Sequence, residues 1–130
     1  VIQNIKTKTK NCNNHIFTRK KNIRNLSPYL INCDFAFVSC GLTKFEAILH
    51  KKPCMVIPLN YETEVMSEIL RKKKLIFLTK NKDNLTVDDL TKKVNDVLKQ
   101  KKTISILKQN CFDLNLDNKN QKFLKVINFD

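Results

Sequence analysis

The single glycine of this chain, Gly41, lies in the run Ser39-Cys40-Gly41-Leu42-Thr43. A residue without Cβ gives the backbone easy positive φ and lets a ligand approach closely. Every other turn is made without glycine, which marks this turn as the one that needs it. Two readings fit the run. It is a plain strand-to-helix turn, or it is a loop whose amides hold a phosphate at a helix N-terminus. Thr43 and Glu46 have T-x-x-E spacing, which at a helix start forms a capping box. The ligand-binding reading instead gives the Thr43 hydroxyl a phosphate and the Glu46 carboxylate a pair of ribose hydroxyls. All four glutamates, Glu46, Glu62, Glu64 and Glu68, fall between residues 46 and 68. They form one acidic neighbourhood, suited to hydroxyl-rich sugars or to balancing nearby lysines. The five cysteines form no C-x-x-C pair and no Cys/His ligand spacing, so no metal site is assigned. Cys33 and Cys54 read as core, and the usage fits a reducing, cytoplasmic compartment. Cys40 at a helix N-terminus has reason for a lowered pKa, but no histidine is evidently placed to pair with it. His15 and His50 read as surface or helix-end residues, and no catalytic residue is assigned.

The elements that must position this loop follow from the apolar pattern. Three continuous apolar runs, Phe35–Val38, Cys54–Ile57 and Leu75–Leu78, recur at intervals of about twenty residues. Continuous runs are the mark of strands buried on both faces of a parallel sheet. Between them, Phe45, Ile48 and Leu49 fit one helical face, and Val65, Met66, Ile69 and Leu70 another. Alternating strands and helices imply β-α-β units, which places residues 39–43 at the carboxyl end of a parallel strand, where open α/β sheets bind ligands. Ser27-Pro28 opens an earlier helix, with proline suited to its first turn, and His15-Ile16-Phe17 is a weaker strand. Beyond residue 80 the chain reads as helical. Thr86 starts one helix through Val87, Leu90, Val94 and Val97; Ile104, Leu107 and Cys111 mark a second; Phe123, Leu124 and Ile127 mark a third. The expectation is one α/β domain over residues 1–130, a three-layer Rossmann-like arrangement with about four parallel strands and a helical C-terminal tail.

The segment 32–47, from Asn32-Cys33-Asp34 through Ser39-Cys40-Gly41-Leu42-Thr43 to Glu46-Ala47, is followed by Lys52-Pro53-Cys54-Met55-Val56-Ile57-Pro58-Leu59. This pattern resembles the C-terminal, nucleotide-sugar-binding half of GT-B enzymes. It is similar to the peptidoglycan N-acetylglucosaminyltransferase, and closer to the UDP-sugar hydrolases of pseudaminic acid synthesis and the related spore-coat polysaccharide proteins. The resemblance spans about residues 15–128. It implies UDP or a UDP-sugar bound by Ser39, Cys40, Gly41, Leu42, Thr43 and Glu46, with Asn60, Glu62 and Thr63 near the donor. The family's glutamine after the second strand is missing, and Glu62 or Thr63 stands in for it. Asn118 and Asn120 replace two late glycines. The N-terminal domain, which carries the catalytic histidine in the hydrolase group, has no counterpart, and the chain reads as a piece of something longer.

Composition bounds the alternatives. With 130 residues and 42% apolar residues, the chain can form one core, and no apolar run is long enough for a membrane span. Its 25 basic against 12 acidic residues give a net charge of +13. Only Arg19, Arg24 and Arg71 are guanidinium, so the excess is lysine, which is not the choice of a base or phosphate reader. Three basic blocks, at 50–52, 71–74 and 99–102, follow predicted helices, where cations complement the helix dipole. The leading expectation is therefore the UDP-sugar-binding half of a glycosyltransferase or UDP-sugar hydrolase, with no other cofactor. The competing expectation is a non-catalytic nucleotide-sugar-binding or assembly module that works with a partner chain. A nucleic-acid or membrane-surface protein rests on charge alone, although peripheral membrane contact and an oligomer both stay open.

Overall fold

The computed structural model describes residues 22–114. Along the chain run α1 (Ser27–Ile31), β1 (Ala36–Ser39), α2 (Thr43–Leu49), β2 (Cys54–Ile57), α3 (Tyr61–Lys72), β3 (Phe77–Leu78), a 3-10 turn (Lys82–Asn84), α4 (Val87–Lys99) and α5 (Lys101–Asp113). The strands pair in parallel in the order β1-β2-β3, with Ala36 opposite Cys54 and Met55 opposite Phe77. The α/β class and the three parallel strands agree with the apolar runs. A fourth strand is not among the described residues; the weak strand at 15–17 and the third tail helix at 123–127 lie outside them.

Side chains alternate across a strand, so the register divides the sheet into two faces. Ala36, Val38, Cys54 and Val56 share one face. They cluster with Leu30 of α1, Ala47 and Ile48 of α2, Leu70 of α3 and Cys111 of α5. Phe37, Met55 and Phe77 share the other. There Phe35 stacks within 5.2 Å of Phe37 and 6.0 Å of Phe77. Met55 is fully buried but Phe37 is 49% exposed. Buried residues of α1, α2, α3 and α5 thus pack against one face of the sheet. β1 is buried on alternate residues only, while β2, the central strand, is the one buried on both faces.

The helix faces differ from the periodicity in detail. In α2 the buried residues are Lys44, Ala47 and Ile48, and Leu49 is half-exposed. In α3 they are Ser67 and Leu70, leaving Val65 and Met66 exposed. The basic blocks at 50–52 and 71–74 do end helices. Lys101 and Lys102, by contrast, begin α5.

Two helix ends explain how a chain with one glycine makes its turns. At the end of α2 the Lys52 amide donates to the Ala47 carbonyl and the Lys51 amide to that of Ile48, both at 2.9 Å. At the end of α3, Leu75 donates to Leu70 and Lys74 to Arg71. Each is a Schellman motif, which needs one left-handed residue, usually glycine. Here that residue is lysine, Lys51 at φ 58° and Lys74 at φ 53°. Buried Leu70 and Leu75 supply the apolar contact that accompanies the second motif.

Candidate functional site

The loop 39–43 leaves the carboxyl end of β1, and Asn60, Glu62 and Thr63 open α3 just beyond the carboxyl end of β2. Because β1 and β2 are paired neighbours, the two groups come together. Their direct link is Cys40, whose thiol takes hydrogen bonds from the Thr63 side chain and the Leu59 backbone. Burial pushes this thiol's pKa up. Those hydrogen bonds and the charge of Lys44 outweigh it, and the pKa falls below the usual thiol value.

Gly41 does not have the role its uniqueness suggested. Its φ is not positive, and a Cβ built there would meet nothing within 4 Å. The left-handed positions among the described residues went to Asn22, Lys51 and Lys74, so glycine is not required by local geometry at 41. The Thr43–Glu46 capping box is also absent. Leu42 is the N-cap, in helical conformation, with no side-chain cap. Thr43 is therefore already inside the helix, and its hydroxyl is one position too late to close the box. The Phe45 and Glu46 amides both return to the Leu42 carbonyl. Glu46 is half-buried, and among the described residues its carboxylate has no hydrogen-bond or ion-pair partner.

The capping box belongs instead to Asn60 and Thr63. The Thr63 amide donates to Asn60 Oδ1 at 3.0 Å, and the Asn60 amide donates to Thr63 Oγ1 at 3.2 Å. Two residues expected near a donor sugar are thus committed to the start of α3. Glu62 is exposed, in the acidic first turn of that helix. A second box, Thr86 with Asp89, starts α4.

Sequence reasoning missed Lys44. It is only 4% exposed, and its ammonium donates to Ser67 Oγ at 3.1 Å while lying 5.2 Å from the Phe45 ring centre. Ser67 in turn donates to the Thr63 carbonyl at 2.8 Å. Burial lowers the Lys44 pKa, partly offset by Cys40 and Cys54. Lys44 and Ser67 thus tie α2 to α3, with Cys40 of the loop after β1 beside Thr63. One more lysine in a lysine-rich chain gave no signal for this. Among the described residues, no group of three His, Cys, Asp or Glu side chains is placed to hold a metal ion, and no helix is long and apolar enough to cross a membrane. No protein-family model, curated protein or solved structure matches the chain.

Proposed function

We propose that the chain is the nucleotide-sugar-binding part of a GT-B-type glycosyltransferase or UDP-sugar hydrolase. The observation that carries this reading is the segment 32–59 folded as strand, loop, helix and strand in a parallel sheet. Its loop 39–43 stands at the carboxyl edge, and one turn into the helix is a half-buried carboxylate without a hydrogen-bond or ion-pair partner among the described residues. Parallel α/β sheets take ligands at that edge, and a carboxylate is the natural acceptor for a pair of ribose hydroxyls. The diphosphate of UDP lies along residues 39–44, and Glu46 holds the ribose. Asn60 and Thr63 shape the rim through their capping box instead of touching the donor. Chemistry at the anomeric carbon calls on residues from a second domain or partner chain. The half-exposed Phe37 at the edge of the sheet supports the second reading, an assembly module, since an exposed phenylalanine ring is suited to a partner.

Calorimetry with UDP on the full chain and on Glu46→Gln tests the proposal. With the capping box absent, glutamine forgoes only the favourable charge of Glu46 in the first turn of α2, about 0.3–1 kcal/mol, so melting changes little. Loss of a charge-assisted hydrogen bond of roughly 1.5–3 kcal/mol weakens binding about tenfold or more. Equal affinity in both proteins would remove the ribose role, and no UDP binding by the parent would move the assembly-module reading ahead.

A further inference from the structure

Two adjoining cavities of about 410 and 450 Å³ open at the carboxyl end of β3 and share Glu64 and Lys80 in their walls. None of the residues 39–46 lines either one. Thr63, on the first turn of α3, faces Cys40, whereas Tyr61 and Glu64 on the same turn face this cleft. Their volumes suit a small organic ligand.

The charges of the cleft cancel. Arg71, Lys80 and Lys93 stand against Glu64, Glu68 and Asp89. Arg71 and Glu68 pair with each other. Glu64 Oε2 receives both the backbone amide and the side-chain amide of Asn81, at 3.1 and 2.8 Å. Asp89 Oδ2 receives the Thr86 amide and hydroxyl, at 3.3 and 2.8 Å. The second oxygens of Glu64 and Asp89, and the ammonium groups of Lys80 and Lys93, have no hydrogen-bond partner among the described residues. The acceptors are therefore held in place by protein donors before any ligand arrives, which lowers the ordering cost of binding. Asn81, which pins Glu64, is only 5% exposed. Tyr61 lines the second cavity, across the shared wall of Glu64 and Lys80 from Asp89 and Lys93, and its side chain is open to solvent.

An anion entering this cleft meets two carboxylates, and a cation meets two ammonium groups. A ring of hydroxyls suits it better, because each hydroxyl donates to a carboxylate and accepts from an ammonium in a charge-assisted bond. An exposed aromatic ring gives the C–H face of such a ring an apolar platform. We propose that this cleft is a ligand site separate from the loop 39–46 and that it takes a neutral saccharide ring, with Glu64 and Asp89 as acceptors, Lys80 and Lys93 as donors and Tyr61 as the platform. The inference stands on the cleft and does not depend on nucleotide binding.

The test is an amide NMR titration of the full chain with methyl glucoside, with N-acetylglucosamine and, as the anion arm, with sodium phosphate. Saturable shifts at residues 80–85 with either sugar at millimolar concentration are expected, unchanged by UDP. Affinity should fall at least fivefold in Tyr61→Ala and in Lys80→Ala, two exposed positions whose replacement leaves melting unaltered. The proposal is overturned by the absence of saturable shifts with both sugars, by a response to phosphate alone, or by sugar affinity in both variants equal to that of the parent.

Discussion

Replacing Lys44 by methionine should stabilise the protein. The ammonium is almost wholly buried, and its hydrogen-bond partner is a neutral hydroxyl, that of Ser67. Met keeps the length of the side chain and removes the charge. The loss is one hydrogen bond to a charged group, roughly 1.5–3 kcal/mol at most, and a cation–π contact of about 0.5–1 kcal/mol. Ser67 stays satisfied, because its hydroxyl still donates to the Thr63 carbonyl. Against this stands the desolvation of an ammonium that has no counter-ion among the described residues, several kcal/mol even after relaxation. The net expectation at neutral pH is a gain of about 1 kcal/mol, and its pH dependence identifies the cause. The folded-state pKa of Lys44 lies below the ordinary value of 10.5. Between those two values the unfolded chain binds more protons at this lysine, so the destabilisation that Lys44 causes in the parent is relieved as pH rises. The advantage of Lys44→Met should therefore be full near neutrality and shrink as pH climbs toward 10.5. Urea unfolding of both proteins across that range measures it. A variant that is less stable than the parent by the same amount at every pH would refute the reasoning, because the lysine would then be held by its hydrogen bonds and packing.

Three further outcomes follow from the same geometry. Gly41→Ala should leave stability unchanged or raise it by about 0.4–1 kcal/mol through the unfolded chain's entropy; a clear drop in melting temperature would show that position 41 needs glycine. Asn60→Ala should cost about 1 kcal/mol as a lost N-cap, read by urea unfolding, whereas Thr43→Ala should cost little because Thr43 caps nothing. Burial pushes the Cys54 thiol up to about 12 and the Cys111 thiol up to about 11, so the folded state keeps protons that the unfolded chain loses above 9.0. Stability should fall as pH rises above that value, and brief alkylation with mass spectrometry should modify Cys40 before either buried thiol.

Sequence and structure part company for physical reasons that can be named. The strand at 54–57 is central, so its continuous apolar run reports burial on both faces, and its limits agree residue for residue. The run at 35–38 looks the same on paper, yet β1 is half-open because no described layer covers Phe37. Composition alone cannot show which strand is central. The glycine argument failed because it assumed that left-handed turns require glycine. Lys51 and Lys74 adopt that conformation within Schellman motifs, each fixed by two backbone hydrogen bonds. The T-x-x-E signal at 43–46 failed because a capping box depends on where the helix begins, and Leu42 takes the N-cap position. The loop at the carboxyl edge was legible because it depends only on the order of strand and helix. The buried Lys44 and the Asn81–Glu64 pair were not, because contacts between residues 17 or 23 positions apart leave no local pattern.

The central claim is that residues 39–46 bind the diphosphate and ribose of UDP. An amide-resolved NMR titration of the full chain with UDP measures it most directly. Saturable shifts that are largest at Gly41, Leu42, Thr43 and Lys44, and that weaken in Glu46→Gln, are the predicted result. An absence of shifts there, or shifts confined to the basic helix ends at 50–52 and 71–74 that vanish with added salt, would contradict it.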